Sequence, residues 1–181
     1  MKLWPVVLGL AIGAATLLAG CGMGAAGSAP SAPVASVPPP NVSGAVAQTR
    51  GAIVAALAAA GVAAPLADAT RPYRPAESAR LRSAPRAVYQ VLLPDQPDAG
   101  YIVVYEFPDT ASAVGAGNEE AGYLGTGPAK VQFPREAQHV LQAIGTTLLV
   151  YSWVPAASPD PTAGNVADAL RHLGTGFSVP S

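Results

Sequence analysis

The sequence predicts an α+β domain of order α-ββα-ββα, a four-stranded antiparallel sheet packed with helices, and three observations carry that expectation. Two pairs of short runs rich in β-branched and aromatic residues, each pair closed by a turn, read as hairpins. Ala-rich stretches with caps at their starts and Gly at their ends precede, separate and follow those hairpins. Strands that come in hairpins, rather than alternating singly with helices, form antiparallel sheets.

The first helix is expected from Ser43, a hydroxyl N-cap, to about Ala60, with Gly61 just past its end. Val46, Ile53 and Leu57 share one face of it. From Ala64 to Ala87 an irregular stretch is expected, because Pro65, Pro72, Pro75 and Pro85 exclude a continuous helix or a central strand. Val88 to Leu93 and Tyr101 to Phe107 form the first hairpin around the Pro/Asp/Gly-rich residues 94–100. Asp95 and Asp98 belong to that turn; the dense acidic spacing of a calcium loop is missing. Asp109 or Thr110 caps a helix to about Leu124, which Gly115, Gly117 and Gly122 weaken. Glu119 and Glu120 on it diverge by ~100° as helical neighbours and read as a solvated face. Gln138 to Ile144 and Thr147 to Val154 form the second hairpin around Gly145. Asp160-Pro161 opens a last helix with an inner stripe of Val166, Leu170 and Leu173, ended by Gly174.

A short internal repeat runs through this order. Val104-Tyr105-Glu106-Phe107 matches Val150-Tyr151-Ser152-Trp153, and Leu124-Gly125-Thr126-Gly127 recurs as Leu173-Gly174-Thr175-Gly176. Both facts fit a duplicated ββα unit or chance in a Gly/Ala-rich chain. The Leu-Gly-Thr-Gly segments read as helix stops, since they lack the Gly-Lys-Ser/Thr ending of a phosphate loop. The topology is similar to that of small ferredoxin-like and prodomain-like sandwiches, a likeness of fold that says nothing of function.

Two groups of residues are candidate binding surfaces. Arg71, Arg74, Arg80, Arg82 and Arg86 crowd the irregular stretch. They read either as an anion-binding face for headgroups, phosphates or a cell-wall polymer, or as a solvated loop paired with Asp68, Glu77 and other acids. Tyr105 and Trp153 lie on apolar strands: Tyr101, Val103, Tyr105 and Phe107 on one face of the second, Leu149, Tyr151 and Trp153 on the face of the fourth that the repeat makes equivalent. That aromatic face is either core beneath the helices or a platform for a polymer or partner.

Other chemistry lacks a motif. His139 and His172 have no convergent metal partners in the sequence, and no Gly-x-Ser-x-Gly elbow exists. No cofactor site is expected. Only 12% of residues are charged, well under the ~25% of a typical soluble protein.

The N-terminus carries the most specific signal. Lys2 precedes an apolar or small run from Val6 to Leu18, shorter than the ~20 residues a permanent span requires. Leu18-Ala19-Gly20-Cys21 follows, and Cys21 is the only Cys in the chain. These residues resemble the lipobox signal of bacterial lipoproteins. The resemblance implies that residues 1–20 are removed and that Cys21 becomes a lipidated N-terminus; a diacylated anchor holds a membrane stably. Gly22, rather than the Asp that often marks inner-membrane retention, leaves an outer membrane open. Residues 21–40 then form the lipidated Cys and a Gly/Ala/Ser/Pro-rich tether, and residues 41–181 a single domain. Without Lys2 the 10 basic residues become 9 against 11 acidic ones, which speaks against a nucleic-acid partner. The expected function is a non-enzymatic, lipid-anchored extracytoplasmic binding or adaptor module, partnered by the membrane through Cys21 and by an envelope protein or polymer. A carrier or sensor of a small apolar ligand is the alternative, and an envelope enzyme the next.

Overall fold

The computed structural model describes residues 42–69, 73 and 75–180; Cys21, the tether, Arg71 and Arg74 lie outside them. In chain order the elements are α1 (Gly44–Ala59), β1 (Leu66–Asp68), α2 (Ala79–Ser83), β2 (Arg86–Val91), β3 (Tyr101–Glu106), α3 (Thr110–Leu124), α4 (Gly127–Gln132), β4 (Gln138–Ile144), β5 (Thr147–Trp153), α5 (Thr162–Leu170) and β6 (Thr175–Gly176).

Side chains close the starts of α1 and α3 as the sequence predicts, whereas α5 begins at Thr162 with Pro161 at its N-cap, one residue later than expected. Ser43 Oγ accepts from the Val46 N–H at 3.2 Å, and Asp109 Oδ1 from the Ser112 N–H at 2.7 Å. Asp160 Oδ1 accepts from the Thr162 N–H at 2.8 Å at the head of α5, while its Oδ2 takes the Asp95 N–H at 2.9 Å and ties the first hairpin loop down. Each bond satisfies a donor that the first helical turn or the loop otherwise leaves unpaired.

The expected count of four strands is corrected to six, in the order β1-β2-β3-β5-β4-β6, with every neighbouring pair antiparallel. The additions are edge strands of three and two residues, too short to show a period of two in sequence. β1 lies inside the stretch expected to be irregular. It sits directly after Pro65 and at the sheet's edge, where one side needs no ladder partner. The same stretch also holds α2.

Helices cover both faces of the sheet, not one as in a ferredoxin-like sandwich. Alternate side chains of each strand serve separate cores. Ile102, Val104, Leu149 and Tyr151 pack with α1 and α5. Val103, Tyr105, Leu148 and Val150 pack with Ala113, Ala116 and Leu124 of α3. Strands buried on both sides read as continuous apolar runs, which is why neither face of β3 or β5 looks solvent-facing in the sequence.

The same geometry corrects the face assignment drawn from the repeat. In the β3–β5 ladder Val103 lies opposite Val150 and Ile102 opposite Tyr151. Tyr105 shares a face with Val103, whereas Tyr151 shares the other with Ile102, so the matched tyrosines point to opposite sides. Each faces the helix that follows its own hairpin, but with β2 and β4 on the outer flanks the two units have opposite hands. No single rotation superposes strands and helix together. The Leu-Gly-Thr-Gly segments also diverge, for Thr126-Gly127 runs into α4 and Thr175-Gly176 forms β6.

Candidate functional site

The arginine run does not form one basic face among the described residues. Arg80 Nε lies 3.2 Å from Glu119 Oε2 on α3. Arg86 pairs with Glu77, whose side chain is buried. Arg82, on α2, is exposed and borders a cavity of about 330 Å³ shared with Glu77, Tyr123 and Gln132. Tyr105 is wholly buried and presents no surface; its hydroxyl donates to Glu77 Oε1 at 2.6 Å. Burial first, and that bond second, hold the Tyr105 phenol far above its ordinary range.

Glu120 is also buried, correcting the solvated reading of the Glu119-Glu120 pair. Glu120 Oε2 accepts from the Ser78 N–H at 2.8 Å, while its Oε1 and Ser78 Oγ have no hydrogen-bond partner. Burial raises the Glu120 carboxyl above its usual value; the Ser78 contact lowers it, and the nearby Glu77 charge raises it again. A proton on the unpaired oxygen is therefore held more tightly in the folded chain than in the unfolded one. That stabilisation is full below the unfolded carboxyl value of about 4.3 and is lost as pH rises through the raised folded value. Relative to Glu120→Gln, the wild type should gain stability as pH falls from neutral into the carboxyl range. Urea unfolding of both proteins across pH checks this, and a difference independent of pH contradicts it.

Trp153 is half-buried at the end of β5. It stacks on the buried Tyr151 with ring centroids 5.5 Å apart, and the Arg171 guanidinium lies 5.4 Å from its own ring centre. It is thus neither deep core nor open platform, but a cover over Tyr151 that steers Arg171.

Arg171 leads to a groove that the sequence does not mark. The short α4 carries Lys130 and Val131, and Phe133-Pro134 then turns the chain toward β4. On the other side the C-terminal segment runs along β4, with the Phe177 N–H donating to the Leu141 carbonyl at 3.1 Å. It fits there because Gly117 and Gly125 carry no side chain. A Cβ on Gly117 would stand 2.3 Å from the Phe177 ring, and one on Gly125 would stand 2.8 Å from Pro180. Pro180 lacks the N–H with which a strand would extend the ladder.

Between α4, the start of β4 and this tail lies a groove of about 840 Å³, within the size range of small-molecule sites. Leu124, Phe133, Val179 and Pro180 supply apolar walls, and Lys130, Arg135 and Arg171 supply charge. Those three are the only basic residues after Arg86 in the chain, and none of the acidic residues that follow Arg86 lines the groove. Arg171 is paired with the exposed Asp168. Lys130 and Arg135 are exposed, without an ion pair among the described residues.

His139 also lines the groove, packed edge-on against Phe133 with centroids 4.9 Å apart. Its Nδ1 lies 2.8 Å from Ser152 Oγ, its direct partner across the β4–β5 ladder. Burial lowers the His139 pKa, so the neutral ring prevails at neutral pH and the groove's charge comes from Lys and Arg. A Ser–His contact alone does not make a nucleophile, which also requires a group orienting the base and donors for the oxyanion. No carboxylate bonds to His139 among the described residues. Nor do three or more His, Cys, Asp or Glu side chains among them converge as a metal site would require, and no described helix is long and apolar enough to cross a membrane. Comparison with protein-family models, with curated proteins and with solved structures found no match to this chain.

Proposed function

We propose that this chain is a lipid-anchored, extracytoplasmic binding module of a bacterial envelope, and that the groove between α4, β4 and the C-terminal tail is its binding face. The groove carries the reading: Lys130 and Arg135, without an ion pair among the described residues, stand over apolar walls, an arrangement that suits recognition. The lipobox-like Leu18-Ala19-Gly20-Cys21 supports the address. Lipid on Cys21 is the anchor, and residues 22–40 hold the domain off the membrane. The role proposed is recognition, because the groove offers charge and shape to a ligand.

Two manipulations in intact cells test anchor and face separately. Cys21→Ser should remain unprocessed or leave the membrane fraction after a high-salt wash; processed Cys21→Ser protein that still sediments with membranes would show that lipid is not the anchor. A photo-crosslinking residue in place of Val131, which is 88% exposed beside the groove, should give a discrete adduct. The same residue in place of Val54, exposed on α1, should give none. Equal adducts at both positions would remove the special status of the groove.

A further inference from the structure

The composition of the groove narrows the ligand, given the binding-module reading above. We infer that it takes a single-chain amphiphile with an anionic head, its carboxylate or phosphate held by Lys130 and Arg135 and its apolar chain laid against Phe133, Leu124 and Val179. The charge is one-sided: every basic residue of the chain after Arg86 lines this one groove and no acidic residue does. An anion placed there meets Lys130 and Arg135 with no carboxylate in the lining, while Arg171 keeps Asp168 as its partner. Lys130 and Arg135 have no ion pair to surrender among the described residues, so an incoming head does not first break a bond. Charge-assisted contacts of this kind are the strong ones.

The walls exclude a purely ionic ligand. Leu124, Val179 and Pro180 offer an anion nothing, yet they line the same cavity as the cations. A volume of about 840 Å³ far exceeds what an inorganic anion fills. The Phe133 ring gives the chain an apolar face, and His139 packs edge to face against it, its imidazole kept neutral by burial. The C-terminal segment closes one side, held at Leu141 by Phe177.

The test uses the full chain in phosphatidylcholine nanodiscs and photoactivatable, diazirine-bearing dodecyl phosphate and dodecanoate, with the neutral dodecanol analogue as control. Peptide mapping should place the labels of at least one anionic probe on residues 124–139 and 173–180. The better of the two heads distinguishes a phosphate from a carboxylate ligand. Lys130→Glu with Arg135→Glu should lower labelling about tenfold or more, the scale of lost charge-assisted contacts. Both residues are exposed, so the variant should melt like the wild type, and Lys130→Ala with Arg135→Ala should show a smaller loss of the same sign. Equal labelling by the neutral analogue would overturn the anionic head, and full displacement by inorganic phosphate would overturn the amphiphile. Absence of label from these stretches would overturn the inference as a whole. The Val131 adduct in cells reports separately on the binding face, so failure of the ligand class and failure of the face are distinguishable.

Discussion

Arg86→Met should cost about 3–5 kcal/mol of folding stability, the scale seen when one partner of a buried ion pair is removed. Glu77 is the reason. Its side chain is 1% exposed, and its Oε1 accepts from both the Arg86 guanidinium and the Tyr105 hydroxyl. Methionine fills the space of the arginine stem but leaves a carboxylate in a medium that solvates it poorly. The damage should lie in the loss of one charge partner of the buried carboxylate rather than in lost packing, so Arg86→Met combined with Glu77→Gln, which removes the charge itself, should recover most of the loss. Urea unfolding of the single and double variants checks this; a double variant no more stable than Arg86→Met contradicts it.

Gly174→Ala should cost about 2–5 kcal/mol, the sum of a left-handed backbone penalty of about 1–2 kcal/mol and an overpacking cost of about 1–3 kcal/mol. Gly174 has φ +58°, and a Cβ there would stand 2.0 Å from the Ala143 carbonyl oxygen, a backbone atom that cannot rotate away. The substitution should also loosen β6, which starts at the next residue. Gly145 has the same φ of +58°, but a Cβ added to it would meet nothing within 4 Å, so Gly145→Ala should incur the backbone penalty alone. Equal losses of melting temperature for the two variants would show that the clash is absorbed.

The parts of the fold that were legible from sequence are those fixed by local rules. Ser43 and Asp109 cap helices where their short side chains precede Ala-rich or apolar periodic stretches, and the four longest strands lie within two residues of their expected bounds. Pairing across the sheet was not legible. Whether Tyr105 and Tyr151 share a face depends on the register of β3 against β5, and repeat identities carry no information on register. The burial of Glu120 was hidden for a related reason: its partner, the Ser78 N–H, lies 42 residues away in the chain.

The candidate site shows the same division more sharply. Five arginines between Arg71 and Arg86 attract notice because they are close in sequence, yet the fold hands Arg80 and Arg86 to carboxylates. Lys130, Arg135 and Arg171 are spread through the second half of the chain and share no motif. They meet because α4, the turn into β4 and the end of α5 come together at one corner of the sheet. One available signal was subtractive: Lys130 is the only lysine after Lys2, in a half of the chain otherwise rich in acid.

The most direct measurement is of what the protein carries. The full chain purified from membranes, extracted with organic solvent and analysed by mass spectrometry, should yield an anionic single-chain amphiphile in about equal amount to protein, as an occupied single site requires. The Lys130→Glu, Arg135→Glu protein, prepared identically, should yield little of it while keeping the covalent lipid on Cys21. Extracts that match between the two proteins, or that contain only bulk membrane lipid in both, would contradict a binding groove for such a ligand.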